Sequence, residues 1–179
     1  MKHPLLYAAV IAALFLVGCD PHGNDHGDDH AVPGRFTLRL TSDRDTAVAN
    51  WSDPDGPGGQ APVIDTIALR PGEYSGTLSI MTTSGDSLTP TIRAQATEHQ
   101  LFYTVSGTTA GVVTITITDR DSRGMPLGLD TRWQVGTVQA PLSGTVNIKL
   151  YHYEPNKKDG ASPSPETDAD ITFPLRVQP

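Results

Sequence analysis

Three of the six histidines of this 179-residue chain lie four apart in DPHGNDHGDDH, residues 20–30. They are His22, His26 and His30, with Asp25, Asp28 and Asp29 among them. Neutral imidazole is a good ligand for Zn2+ and Cu2+, and carboxylates complete such shells. The spacing is not that of a closed zinc motif, and the stretch holds no cysteine. Gly, Pro, Asp and Asn surround the histidines, so no apolar periodicity fixes the backbone. An ion bound here must order the chain as it binds, and that entropy cost makes the site weak and exchangeable. The plainer reading of the same residues is an acidic tether kept soluble by charge. Both readings stand at this point.

Three other places carry chemistry-bearing residues. In DPDGPGG, Asp53 and Asp55 precede Gly56, as alternate carboxylates do at the start of many Ca2+ loops. No glutamate closes the loop at the twelfth position, where Ile64 stands, so an Asp/Gly turn is the plainer reading. DRDSRG repeats the theme with Asp119 and Asp121. His99 and His152 lie at the ends of two expected strands, beside Glu98 and Glu154, and a small polar pocket forms if those ends meet. Half-buried histidines packing on tyrosines are the commoner outcome. Ser84, Asp86 and Ser87 in TSGDS read as a turn. The sequence has no Gly-x-Ser-x-Gly, His-Glu-x-x-His or phosphate-cradling glycine loop, so no enzyme is expected.

The elements that must position these residues are strands. Seventeen glycines and 15 prolines punctuate short Thr- and Val-rich runs, which favours many strands over a helical bundle. RFTLRLT puts Phe36, Leu38 and Leu40 on one face. AVANW (47–51), VIDTIALR (63–70) and EYSGTLSIMT (73–82) follow, the last with Tyr74, Leu78 and Ile80 together. Thr89 as N-cap and Pro90 at the first position predict one short helix, Pro90 to Glu98, with Ile92 and Ala96 on one side. QLFYTVS (100–106), GVVTITITD (111–119, with Val113, Ile115 and Ile117 inward), TRWQVGTV (131–138), GTVNIKLYHY (144–153) and ADITFPLRVQ (169–178) complete about nine strands. The expected fold is all-β, an immunoglobulin-like antiparallel sandwich over residues 35–179. Pro174 predicts an edge position for the last strand, and the polar loop 154–168 is expected to be exposed and mobile.

Met1-Lys2-His3 followed by an apolar run of about thirteen residues, Leu5 to Val17, reads as a signal-peptide core. It ends in Leu16-Val17-Gly18-Cys19, which resembles the lipobox of bacterial lipoproteins. That resemblance implies cleavage after residue 18 and lipidation of Cys19. Residues 19–34 then form the lipidated cysteine and its His/Asp-rich flexible tether. Several acyl chains make a stable anchor where one holds only marginally. The chain is acidic, at −7, and no basic cluster exceeds Lys157-Lys158, so nucleic acid is not an expected partner.

DPDGPGGQAPV, EHQLFYTVSG, GMPLGL and YHYEPNKKDG…ETDADITFPLRV occur in this order over most of residues 35–179. In that order they resemble a family of small lipoproteins from Bacteroidetes-type bacteria, often encoded beside TonB-dependent outer-membrane receptors, some of which carry a periplasmic-binding label. The family's helix is strongly acidic, whereas the segment here has one acid, Glu98. No catalytic residue comes with the resemblance. It implies a lipid-anchored accessory to such a receptor, expected at the outer membrane; taken with the histidine tether, the expected role is a binding accessory capturing a metal ion (Zn2+ or Cu2+) or a small nutrient. The alternative is a structural or adhesive surface module with no small ligand.

Mass spectrometry of protein extracted from membranes should find an acylated N-terminal Cys19, and Cys19→Ser should release the protein to the soluble fraction. Unmodified Cys19 in the mature chain would refute lipidation.

Overall fold

In the strand Pro33–Thr41 (β1), Phe36, Leu38 and Leu40 are buried while Arg35, Arg39 and Thr41 face water. The same alternation recurs along the chain of this computed structural model, which describes residues 32–56 and 58–179. Among the described residues ten strands form two sheets that share one apolar core, with one short helix beside them, an all-β sandwich as the sequence predicts.

In the first sheet β1 lies between β2 (Thr46–Ser52) and β5 (Gly72–Thr82), antiparallel to both. The sheet extends past β5 through β8 (Asp130–Val135) to the edge strand β7 (Val113–Ile117), and past β2 to the two-residue β3 (Val63–Ile64). The second sheet runs β4 (Ile67–Leu69), β10 (Glu166–Val177), β9 (Leu142–His152), β6 (His99–Gly107). The β4–β10 pair is parallel, a departure from the expected all-antiparallel pattern. Trp133 is wholly buried, and its Nε1 donates to Thr131 Oγ1 at 2.9 Å. It fits because Gly76 on β5 has no side chain; a Cβ there would lie 2.9 Å from the indole nitrogen. Where the chain crosses from β4 to β5, the Tyr74 hydroxyl donates to the Arg70 carbonyl and accepts from its N–H. Such a corner ties a Tyr back to upstream backbone in many sandwiches.

Several expectations are corrected. VIDTIALR is two strands in different sheets, because the Asp65 carboxylate accepts from the backbone and side-chain N–H groups of Asn50 and ends β3. The helix (α1) is shorter, Thr89–Ala94, and Leu88 holds the N-cap position. Thr89 is no cap: its hydroxyl accepts the Ile80 N–H at 2.8 Å and ties the helix to β5. Ile115 and Ile117 are half-exposed, since β7 is an edge strand that the facing sheet does not fully cover. β10 lies between β9 and β4 rather than at an edge. Pro174 is tolerated because β4 pairs only from Leu175 onward.

The loop after β9 is pinned down, not free. Lys158 is 2% exposed, and its Nζ donates to the Ala96 carbonyl at 2.8 Å and meets Asp121 Oδ2 at 3.1 Å. Tyr153 donates to the Ser162 carbonyl, and Asp159 accepts from the N–H groups of Ala161 and Ser162. Burial pushes the Lys158 amine below its ordinary value, against the pull of Asp121.

Removing one partner of such a pair leaves a buried charge uncompensated. Lys158→Ala should cost about 3–5 kcal/mol, read from urea unfolding; a change within about 0.5 kcal/mol would mean the pair is relieved by water.

Candidate metal centre

β6 and β9 pair with His99 opposite His152, so the two strand ends do meet. Both side chains point to the inner face, beyond the last apolar pair, Leu101 and Leu150. The rings stack in parallel, with centroids 4.7 Å apart and 4° between planes. The third member is Asp168. The β9–β10 register shifts between Thr167 and Ala169, so Asp168 is the extra residue of a bulge. Strict alternation back from Phe173, Ile171 and Ala169 would send it outward. The bulge re-aims it, and its Oδ2 lies 3.6 Å from His99 Nε2. One ligand atom from each of His99, His152 and Asp168 lies within 4.8 Å of the others, and among the described residues no other such group of three occurs.

His99 is held from behind. Its Nδ1 lies 3.1 Å from the Gln95 carbonyl, so Nδ1 carries the proton and the Nε2 lone pair faces Asp168. A ring N–H donated to a backbone carbonyl is the usual support of a metal-ligating histidine. The turn that supplies the carbonyl is gripped along its length. Lys158 takes the Ala96 carbonyl, Arg123 the Thr97 carbonyl at 2.8 Å, and the Tyr153 N–H the Glu98 carbonyl at 2.7 Å.

Burial, aided by the His152 ring, pushes the His99 pKa below its ordinary value. The Gln95 carbonyl, Asp168 and Glu98 pull the other way and lose. His99 is therefore neutral and ready to ligate at neutral pH. Two nitrogens and one carboxylate suit Zn2+ or Cu2+. One ion cannot lie in two parallel ring planes, so binding must turn a ring.

The other sequence candidates fall elsewhere. Cys19 and the tether residues His22, Asp25, His26, Asp28, Asp29 and His30 lie outside the described residues. Asp55 closes its own loop by accepting the Gln60 N–H at 2.9 Å. Asp53 is buried, and burial and its neighbour Asp55 raise its pKa. No third carboxylate or imidazole joins them among the described residues. Asp119 accepts the Gly128 and Leu129 N–H groups, and Asp121 those of Arg123 and Met125, so this pair builds a turn. Thr82, Ser84 and Asp86 hydrogen-bond among themselves, again a turn. Glu154 is exposed and stands outside the cluster. No family model, curated protein or solved structure matches this chain.

Because the folded His99 pKa lies below the unfolded value, the unfolded chain takes up the proton first. This contribution to stability is complete above about pH 6.5 and is lost as pH falls through the lowered value. In an NMR titration His99 should protonate at lower pH than an ordinary exposed histidine, with the denaturant midpoint falling over the same interval. Titration at or above the ordinary value of about 6.5 would overturn this.

Proposed function

We propose that this protein is a lipid-anchored, non-catalytic binding accessory of the bacterial cell envelope that captures Zn2+ or Cu2+ beside a TonB-dependent outer-membrane receptor. The cluster of His99, His152 and Asp168 carries the metal reading: two imidazoles and a carboxylate converge, and one imidazole is buried, neutral and oriented by a carbonyl. The lipobox-like Leu16–Cys19 supports the anchor, and the order of motifs over residues 35–179 supports the receptor setting. Because one of the two stacked rings must turn before both can ligate, the site suits an ion that is picked up and handed on. The tether histidines His22, His26 and His30 form a second, weaker capture point in this reading.

A structural or adhesive module is the second reading. Val48, Val63 and Ile64 favour it, since they are exposed on the neighbouring strands β2 and β3.

Calorimetric titration of the full chain with Zn2+ and Cu2+ separates these ideas. The His152→Ala/Asp168→Asn variant should weaken the tighter site at least about tenfold, while His22, His26 and His30→Ala should spare it. Binding unchanged by the first variant and abolished by the second would move the site to the tether. No binding at all would favour the structural module.

A further inference from the structure

β7 is an unprotected edge of the first sheet. The Gly136 N–H donates to the Val112 carbonyl and the Thr118 N–H to the Asp130 carbonyl, so the even-numbered residues of β7 bond β8. The N–H and C=O groups of Ile115 and Ile117 therefore turn outward, as alternation in an antiparallel pair requires. They have no partner among the described residues. At Val113 only the carbonyl is left over, because the N–H donates to the Thr109 carbonyl at 3.0 Å. The other edges are blunted. β3 has two residues and β4 three. β6 is covered at its start, where the Leu101 N–H donates to the Leu127 carbonyl at 2.7 Å and the Tyr103 hydroxyl to the Gly128 carbonyl at 2.6 Å. β7 has no Lys, Pro or bulge of the kind that keeps an edge from pairing.

This edge is complementary to itself. With a two-fold axis at Ile115, an antiparallel copy sets Ile115 opposite Ile115, Val113 opposite Ile117 and Thr114 opposite Thr116. Both outward N–H groups then find acceptors. The Ile115 N–H meets the Ile115 carbonyl of the other copy, and the Ile117 N–H meets the Val113 carbonyl. All five residues are β-branched and none is charged, so each cross-strand pair is one that favours a sheet. We propose that two copies of this chain join through β7, antiparallel about Ile115, so that their six-stranded sheets run on as one. The axis stands perpendicular to the sheet, so the inner faces stay on the same side. Half-exposed Ile115 and Ile117 then lie beside their counterparts, and half-exposed Tyr103 and Val105 of β6 turn toward the other copy. The contact uses no residue of the His99 cluster and goes beyond the metal reading.

Thr114 and Thr116 are exposed, so substitutions there spare the core. Across the axis they form a non-hydrogen-bonded pair with Cα atoms about 4.5 Å apart, within disulfide reach. Full-length Thr114→Cys and Thr116→Cys chains, produced together and mildly oxidised in the cells that make them, should give a dimer. Mass spectrometry should find its linked peptides joined between positions 114 and 116. Sedimentation of the full chain in detergent should show a monomer–dimer equilibrium. Thr114→Lys/Thr116→Lys sets like charges opposite each other and should raise the dimer dissociation constant at least about tenfold. Mixing that variant with Thr114→Glu/Thr116→Glu should restore dimers, with one chain of each kind. A chain that stays monomeric and forms no 114–116 link overturns the proposal. So do dimers that the two lysines leave unchanged, or a cysteine at 114 linked instead to a different protein.

Discussion

Lys158 and Asp121 face each other at 3.1 Å with both side chains wholly withdrawn from water. Such a pair is a poor source of net stability, because removing two charges from water offsets much of their attraction. Its consequence is positional. The ammonium has three donors, and one reaches the Ala96 carbonyl. The other oxygen of Asp121 takes the N–H groups of Arg123 and Met125. Three segments far apart in sequence therefore meet at one point: the turn after α1, the turn around residues 119–128, and the loop 153–165. None can leave without stranding a charge or a carbonyl. Burial works to raise the Asp121 pKa, but the Met125 and Arg123 N–H groups and Lys158 hold it low, so the carboxylate stays charged.

The cluster of His99, His152 and Asp168 inherits that rigidity at His99. His99 is fixed by strand register and by the Gln95 carbonyl, in a turn whose next three carbonyls are each gripped by another segment. His152 is half-buried, and Asp168 rides on a bulge, the part of a strand pair least constrained by its ladder. In the reading proposed above, an ion held here would spend part of its binding energy on turning a ring, unlike an ion in a closed structural site, whose ligands are preset. The depressed His99 pKa works in the same direction as the geometry: protons compete less for the fixed ligand, so the neutral ring persists into mild acid.

Much of this fold is legible in the sequence, and the exceptions have physical causes. Phe36, Leu38 and Leu40, or Tyr74, Leu78 and Ile80, alternate without interruption and are buried as a period of two requires. His99 and His152 could be paired by thought because both end strands. Asp168 could not, since a bulge breaks the alternation that would have located it. Lys158 looks like any lysine in a polar loop; only the partners Asp121 and Ala96, remote in sequence, make it a buried one. Thr89 has the composition of a cap, but its hydroxyl finds the β5 backbone instead. Ile115 and Ile117 follow the inward pattern of a covered strand, and pattern alone does not say that the covering sheet stops short.

His99 and Gln100 are successive residues of β6, and their side chains must point to opposite faces. One belongs to the cluster with His152 and Asp168 and the other bonds the loop after β9, yet both are buried. The same distant loop reaches both neighbourhoods: Lys158 binds the turn that orients His99, and the Gly160 carbonyl accepts from Gln100. Two residues apart in that loop, and adjacent in β6, the contacts form a short closed circuit of backbone and hydrogen bonds. Residues 158–160 therefore brace both sides of β6 at once, Lys158 through the turn behind His99 and Gly160 through the Gln100 amide.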